Sequence, residues 1–199
     1  MSQNQSDSPL VDFLSSLYPF GPEALEYLRK HSFKKEIGRG KFLLRPGEIC
    51  LHYYYIHKGL LRAFSREGNK EITTWLNPER EISTSIRSMI RRQPAMEYIQ
   101  ALEDSELYVL HFDDLENMYS LFPEMNFVAR KILTAYYADA EERSYISRIP
   151  NAGKRYRYFV SSRPDLANRA PLKYIASYLG ITLETLSRLR SKSGHRADK

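Results

Sequence analysis

The chain has 199 residues, with 30 basic and 24 acidic side chains and a formal net charge of +6. Hydrophobic residues make up 42% of the chain and aromatic residues 13%, and this apolar content excludes an intrinsically disordered protein. No stretch approaches the roughly 18 consecutive apolar residues of a membrane-spanning helix, so we expect no membrane segment.

Cysteine content restricts the chemistry further. Cys50 is the only cysteine, which rules out an internal disulfide and leads us to expect neither an iron–sulfur cluster nor a metal site built from thiolates.

The first residues, Met1 to Pro9, lack the basic and apolar regions of a signal peptide. We therefore expect a cytoplasmic protein.

The charge is distributed unevenly along the chain. Residues 148–199 contain 12 basic and 3 acidic side chains, whereas the other 147 residues contain 18 basic and 21 acidic ones. A basic C-terminal quarter on a slightly acidic body indicates that this end of the chain meets a polyanion.

The N-terminal part predicts helices followed by strands. Apolar residues at helical spacing between Leu10 and His31 predict two short helices, because proline and glycine interrupt the pattern. From Phe33 to about Phe112, short runs rich in Tyr, Phe, Ile and Thr alternate with glycine-containing turns, which favours an antiparallel barrel or jelly roll. Residues 78–94 interrupt the strands with a helix-like pattern that we expect to cap the barrel.

A long helix is predicted next. Pro123 followed by Glu124 is typical of a helix start, and the pattern continues to about residue 149, or roughly 40 Å. An apolar seam runs along its first half. The seam either packs on the barrel or pairs with a second copy as a short parallel coiled coil, and the second alternative gives a dimer. The seam residues are Met125, Val128, Ile132 and Tyr136.

The segment from Leu172 to Ser191 has the spacing of a helix-turn-helix. Ala176 is small enough for a second helix to cross over it, and Gly180 supplies the turn between the helices. Thr182 is a good N-cap for the second helix, and Leu186 returns to the core.

The second predicted helix, residues 182–192, has a polar outer face. Glu184 and Arg188 lie one turn apart, and they are equipped to accept from cytosine N4 and to donate to guanine O6 and N7. Lys173 and Lys192 are predicted to contact phosphates. A plain helical hairpin with a solvated face is the alternative interpretation.

Four stretches carry a resemblance to a known family. They are GRGKFLLRPGE (38–48), YYYIHKGLLRAF (53–64), ALEDSEL (101–107) and, most specifically, YIASYLGITLETLSRLR (174–190). The chain resembles the Crp/Fnr superfamily of bacterial transcription regulators. The resemblance implies an α+β fold, mainly β in its N-terminal part, with an antiparallel double-stranded β-helix or jelly roll, a long dimerisation helix and a C-terminal helix-turn-helix domain.

The resemblance also implies that the chain has three segments with different functions. Residues 1–122 would form a cyclic-nucleotide-binding-like effector domain, 123–149 the dimerisation helix and 150–199 the DNA-binding domain. The implied partners are double-stranded DNA, a second copy of the chain, RNA polymerase and an unknown small-molecule effector. The base-reading pair of the family falls on Glu184 and Arg188, and Thr182, Thr185 and Ser187 fall near phosphates or base edges.

The cyclic-nucleotide site of the family is not preserved. No glycine occurs between Gly68 and Gly153, and residues 94–97 replace the arginine that holds the cyclic phosphate in the family. Glu81 stands near the position of the family's glutamate, and Arg87 and Arg91 are candidates for another anion site. We expect no tight binding of cyclic AMP or cyclic GMP.

The sequence leaves two functional hypotheses. The first is a homodimeric, sequence-specific DNA-binding regulator. The second is a small-molecule or cyclic-nucleotide sensor whose basic C-terminal module does not read DNA. No nucleophile-base pair, metalloprotease motif, P-loop or dinucleotide-binding motif occurs, so we do not expect an enzyme. The last residues, 191–199, are too polar and too short to predict the β-hairpin wing of many relatives.

Overall fold

The computed structural model describes residues 8–194. Its helices are α1 (Pro9–Leu17), α2 (Pro22–His31), α3 (Ile86–Arg91), α4 (Phe112–Leu121), α5 (Pro123–Arg148), α6 (Ala152–Ser162), α7 (Pro164–Arg169), α8 (Leu172–Tyr178) and α9 (Leu183–Gly194). Its strands are β1 (Ser32–Ile37), β2 (Phe42–Leu44), β3 (His52–Lys58), β4 (Leu61–Glu67), β5 (Lys70–Asn77), β6 (Ile82–Ser83), β7 (Tyr98–Ala101) and β8 (Ser105–His111). Most of the segment compared with signal peptides, and residues 195–199 of the segment considered for a wing, lie outside this range.

The strands form two antiparallel four-stranded sheets. One sheet has the order β1-β8-β3-β6 and the other β2-β7-β4-β5, so except for the β4–β5 hairpin the paired strands are not consecutive in the chain. This is the predicted jelly roll, and helices dominate the chain after it. The predicted fold class is therefore confirmed. Within residues 8–194, no helix is both long enough and apolar enough to cross a membrane.

Strand β3 shows why this part of the chain is so rich in tyrosine. Tyr54 and Ile56 point between the two sheets, where they join a buried cluster with residues such as Leu61 and Ile99. Tyr55 points to the opposite face of its sheet and packs among the helices. Since alternate residues of a strand face opposite sides, a strand covered on both faces needs apolar or aromatic residues at successive positions.

Helix α5 has the predicted start and almost the predicted end, but its apolar seam faces the chain itself. Met125 and Val128 are buried in the cluster formed with α1, and Ile132 packs at the edge of that cluster. The Tyr136 ring stacks on the indole of Trp75, with 4.6 Å between the ring centroids. The assignment of these four residues to a dimer seam is therefore wrong, because the stripe is used to pack on the β-roll.

The helix-turn-helix region packs against the second sheet. Helix α8 lies along β5, the edge strand of that sheet, and one buried cluster joins Leu76 of β5 to Ile175 of α8 and Phe159 of α6. The Ser177 hydroxyl donates to the Glu71 carbonyl oxygen at 2.7 Å and accepts from the Thr73 amide at 2.9 Å. A side chain of α8 thus fills backbone hydrogen-bonding positions that an edge strand leaves open.

Ion pairs tie the two parts of the chain together. The Arg169 guanidinium binds both oxygens of Glu79 at 2.6 Å and both oxygens of Glu103 at 2.6 and 2.8 Å. Arg163 binds the Glu81 carboxylate at 2.6 Å. We call these five residues the interdomain latch. Arg163 and Arg169 of the basic region are therefore bound by acids of the β-roll, so their charges are not free for a polyanion.

The latch predicts a pH-dependent stability. Hydrogen bonds from Arg169 lower the pKa of Glu79 to about 2, below its ordinary 4.5. The stabilisation from this carboxylate is present above about pH 4.5 and is lost as the pH falls toward 2. Arg169→Gln should lower the free energy of unfolding by about 1 to 2 kcal/mol at neutral pH, since roughly a third of each carboxylate is exposed.

Urea unfolding at a series of pH values between 7 and 3 measures this effect. The variant should lose less stability than the wild type as the pH falls, because the hydrogen bonds from Arg169, the largest cause of the lowered Glu79 pKa, are removed. Arg148→Gln, at an exposed position at the end of α5, is the control. Equal stability of both variants at neutral pH would contradict the role of the latch.

Candidate nucleic-acid interface

The turn between α8 and α9 is fixed by backbone geometry. Gly180 has φ = +62°, in the left-handed region where glycine is favoured, and its amide donates to the Ser177 carbonyl. The amide of Ile181 donates to the carbonyl of Ala176 at 3.0 Å. Arg155 of α6 donates to the Leu179 carbonyl at 2.8 Å, so the end of α8 is held from outside as well. The chain therefore enters α9 in one defined direction.

Helix α9 begins with a side-chain cap. The Thr182 hydroxyl accepts a hydrogen bond from the Thr185 amide at 3.2 Å, and the Thr182 carbonyl accepts one from Leu186 at 3.0 Å. This is the geometry that threonine adopts before the first helical residue. Thr182 thus has a structural role besides any contact with a ligand.

The inner face of α9 joins the core of the helical region. Leu186 is fully buried and belongs to the same cluster as Ile175 and Ala176 of α8. Leu189, one turn further on, is half-buried against this cluster. Because Leu186 and Leu189 lie on the buried side, most of the polar residues of α9 are presented on the other side.

That outer face carries the predicted DNA-reading residues. The exposed residues of α9 are Leu183, Glu184, Ser187, Arg188, Ser191 and Lys192. Arg188 lies one helical turn after Glu184, and its guanidinium is 3.5 Å from the Thr185 hydroxyl. The Glu184 pKa is lowered because its own backbone amide donates to the carboxylate, with contributions from the Thr182 hydroxyl and from the charge of Arg188. At neutral pH this face presents an acceptor and a fork of donors to solvent.

Further cations border this face. Lys173 is exposed at the start of α8, with its ammonium 4.7 Å from the centroid of the Tyr174 ring. Lys154 and Arg157 are exposed on α6. Arg190 instead donates to the Ala167 carbonyl, so not every cation of the region faces solvent. The exposed cations form the kind of surface that contacts phosphates.

The three candidate effector residues do not form a site. Both carboxylate oxygens of Glu81 have protein partners, Arg163 at 2.6 Å and Asn77 at 2.9 Å. Arg87 and Arg91 are exposed on α3, and neither makes an ion pair in the described part of the chain. Their positions in the sequence suggested an anion site at Arg87 and Arg91 and a ligand contact at Glu81. In the structure Glu81 belongs to the interdomain latch instead. The proposed effector role of these residues has no support in the geometry.

The cap of α9 predicts a measurable loss of stability. Thr182→Ala removes the acceptor of the Thr185 amide and should lower the free energy of unfolding by about 1 kcal/mol. Thr182→Ser keeps the hydroxyl and should behave like the wild type. Urea unfolding followed by circular dichroism tests both variants, and equal losses in the two would show that the threonine methyl group matters rather than the cap.

Comparisons with known proteins agree with this architecture. The family model described as "Cyclic nucleotide-binding domain" matches residues 34–122, which cover the β-roll and α4. The fumarate and nitrate reduction regulatory protein of Yersinia pestis is 24% identical over 169 residues, which cover 78% of this chain and 66% of that protein. The transcriptional regulatory protein btr of Bordetella pertussis is 26% identical over 192 residues, which cover 88% of this chain and 78% of that protein.

The chain spans slightly less than two thirds of the length of several of these curated relatives, as with the 65% covered of the anaerobic regulatory protein of Haemophilus influenzae. Among solved structures, FixK2 of Bradyrhizobium japonicum matches with a TM-score of 0.70 at 16% identity, over 83% of this chain and 86% of that one. CooA of Carboxydothermus hydrogenoformans matches with a TM-score of 0.66 at 18% identity, over 84% and 78%. At such identities these structures establish the fold. The β-roll is thus matched by a family model, and the chain is similar to bacterial transcription regulators along most of its sequence.

Proposed function

We propose that this protein is a homodimeric transcription regulator that reads a specific DNA sequence with helix α9 in the major groove. The observation that carries the proposal is the outer face of α9, where Glu184, Ser187 and Arg188 are exposed on a helix whose other side is anchored by Leu186. The similarity to the regulatory proteins of Yersinia pestis and Bordetella pertussis supports it.

The chemistry of this face fits base-edge recognition. A guanidinium donates two parallel hydrogen bonds to guanine O6 and N7, and a carboxylate accepts from cytosine N4. Because the pKa of Glu184 is lowered, the carboxylate stays ionised at neutral pH and acts only as an acceptor. Arg188 and Glu184 are thus suited to adjacent G·C pairs, while Lys173 and Lys192 supply contacts to the phosphates.

The dimer is proposed to form through the exposed face of α5 that lies next to the predicted seam. Leu133 is 58% exposed and Tyr137 is 65% exposed, although both are large and apolar or aromatic. Asn126 and Arg130 continue the same line toward the start of the helix, with steps of four, three and four residues. This spacing gives a coiled-coil seam, and two copies paired along it form a closed symmetric dimer.

The dimer requirement follows from DNA geometry. One recognition helix covers only a few base pairs, and helix-turn-helix proteins reach useful specificity by binding two half-sites one helical turn apart. A parallel pairing of α5 places both helix-turn-helix units at the same end of the dimer, because α6 follows α5 directly. A recognition helix and a parallel α5 pair are together the two elements that a palindromic site requires.

Arg188→Ala tests the reading function. On the duplex that the wild type prefers, the variant should lose about 1 to 3 kcal/mol of binding free energy, because the donors to guanine are removed. On unrelated DNA the loss should be much smaller. Fluorescence anisotropy with both duplexes measures the two affinities, and Arg39→Ala, an exposed arginine in the β1–β2 turn, is the control. Equal losses on both duplexes would show that Arg188 contacts only phosphate.

Leu133→Asp tests the dimer. A charge placed in the seam should halve the mass seen by size-exclusion chromatography with light scattering, while the fold is retained because Leu133 is exposed. Ile49→Asp places the same charge on an exposed aliphatic residue of the β-roll and should leave the mass unchanged. Ile132→Asp should instead lower stability, because Ile132 packs on its own β-roll. An unchanged mass for Leu133→Asp would contradict this interface.

A further inference from the structure

A cavity of about 400 Å³ lies between the β-roll and the helices. Its floor is the outer face of the sheet β1-β8-β3-β6, to which Tyr53, Tyr55 and Tyr108 contribute, and its walls come from α3, α4 and α5. The volume falls in the range of small-molecule sites in proteins. The cavity is separate from the space between the two sheets, which is occupied by the buried cluster around Tyr54 and Ile56.

The lining favours a planar, apolar occupant. Aromatic rings reach the cavity from strand β3, from strand β8 and from Phe112 and Tyr119 of α4, and Ile86 of α3 adds an aliphatic wall. Tyr136 of α5 lines the cavity too, and it is held in place by its stack on Trp75. Rings offered from several sides bind flat aromatic molecules by offset stacking and edge contacts.

The only charge in the described lining of the cavity is negative. Glu116 is the one charged residue among the described residues that line the cavity, and no lysine, arginine or histidine is among them. Glu116 lines the cavity together with Tyr53 and Tyr119. Burial raises the pKa of the Tyr53 hydroxyl, and the charges of Tyr119 and Glu116 add to this effect. An anion would have to enter without a cationic partner and beside a carboxylate, which is unfavourable. Cyclic nucleotides and other anionic ligands are therefore disfavoured.

We propose that this cavity is a binding site for an uncharged aromatic molecule with a hydrogen-bond donor that faces Glu116. The rings supply the apolar contact area, and the carboxylate at the polar end selects for an N–H or O–H group. The site is independent of DNA reading, so its test requires no DNA. It also touches α5 through Leu133 and Tyr136, so that the occupant contacts the helix proposed to form the dimer.

Two fluorescent probes with the same ring system distinguish this site from a general apolar surface. N-phenyl-1-naphthylamine is uncharged and carries an N–H donor, whereas 1-anilinonaphthalene-8-sulfonate is the same molecule with an added sulfonate. Titrated into the full-length protein, the neutral probe should bind saturably, once per chain and at least tenfold more tightly than the sulfonate. Trp75, the only tryptophan, lies one ring from the cavity and should transfer its excitation energy to the bound probe.

Substitutions in the cavity lining test whether the probe binds there. Ile86→Trp fills the space and should abolish saturable binding. Glu116→Lys changes an exposed residue, keeps the fold and should reverse the preference toward the sulfonate. Glu67→Lys makes the same charge change in the exposed β4–β5 turn and should change neither affinity.

Four results would overturn the proposal. They are an absence of saturable binding by the neutral probe, equal affinity for the two probes, binding unaffected by both cavity variants, and displacement of the probe by cyclic AMP. The first would mean that side chains of a second copy fill the cavity in the dimer. Arg188→Ala should bind the probe like the wild type, so a failure of the DNA-reading proposal would not affect this test.

Discussion

The docking of α8 on the edge of the β-roll is the interaction on which the rest of the arrangement depends. Strand β5 is an edge strand, and an uncovered edge of this length is a liability for a folded protein. Ser177 fills two of its backbone hydrogen-bonding positions, and the shared core beneath it includes Leu76 and Ile175. Arg169 then links two acids from different loops of the β-roll. Through these contacts α9 has one orientation relative to the β-roll.

Helix α5 connects the proposals because it has two different faces. Its inner face packs on the β-roll through Met125 and Val128, whereas its outer face leaves Leu133 and Tyr137 exposed. The cavity opens at the boundary between these faces. A molecule bound there would contact the helix that carries the proposed dimer seam, and α6 follows this helix directly. A shift in the position of α5 on the β-roll would therefore also move α6 and the helix-turn-helix that follows it.

The elements that the sequence predicts well are those specified by local signals. Gly180 and Thr182 identify the turn and the cap of α9, because positive φ and capping depend on a few neighbouring residues. Alternating glycine turns and aromatic runs identify the strands, and Pro123 identifies the start of α5. These predictions require no knowledge of what lies across the core.

The predictions that failed concern partners that are distant in the sequence. The stripe on α5 was visible in the periodicity, but a stripe does not reveal whether a second copy or the β-roll covers it. The basic composition of residues 148–199 suggested that this end of the chain meets a polyanion, but it did not show that Arg169 binds acids 66 and 90 positions away. Glu81 was placed in an effector site by its position, and Arg163, 82 positions later, binds it instead. Nothing in the local pattern encodes these pairs.

Selection of a random duplex library by the purified protein tests the central claim most directly, with the Glu184→Ala, Arg188→Ala double variant selected in parallel. We expect the wild type to enrich an inverted repeat whose half-sites lie about 34 to 36 Å apart, and the double variant to lose this sequence. Enrichment of the same sequence by both proteins would contradict the assignment of α9 as the reading helix. Enrichment of a single, non-repeated half-site would contradict the dimer.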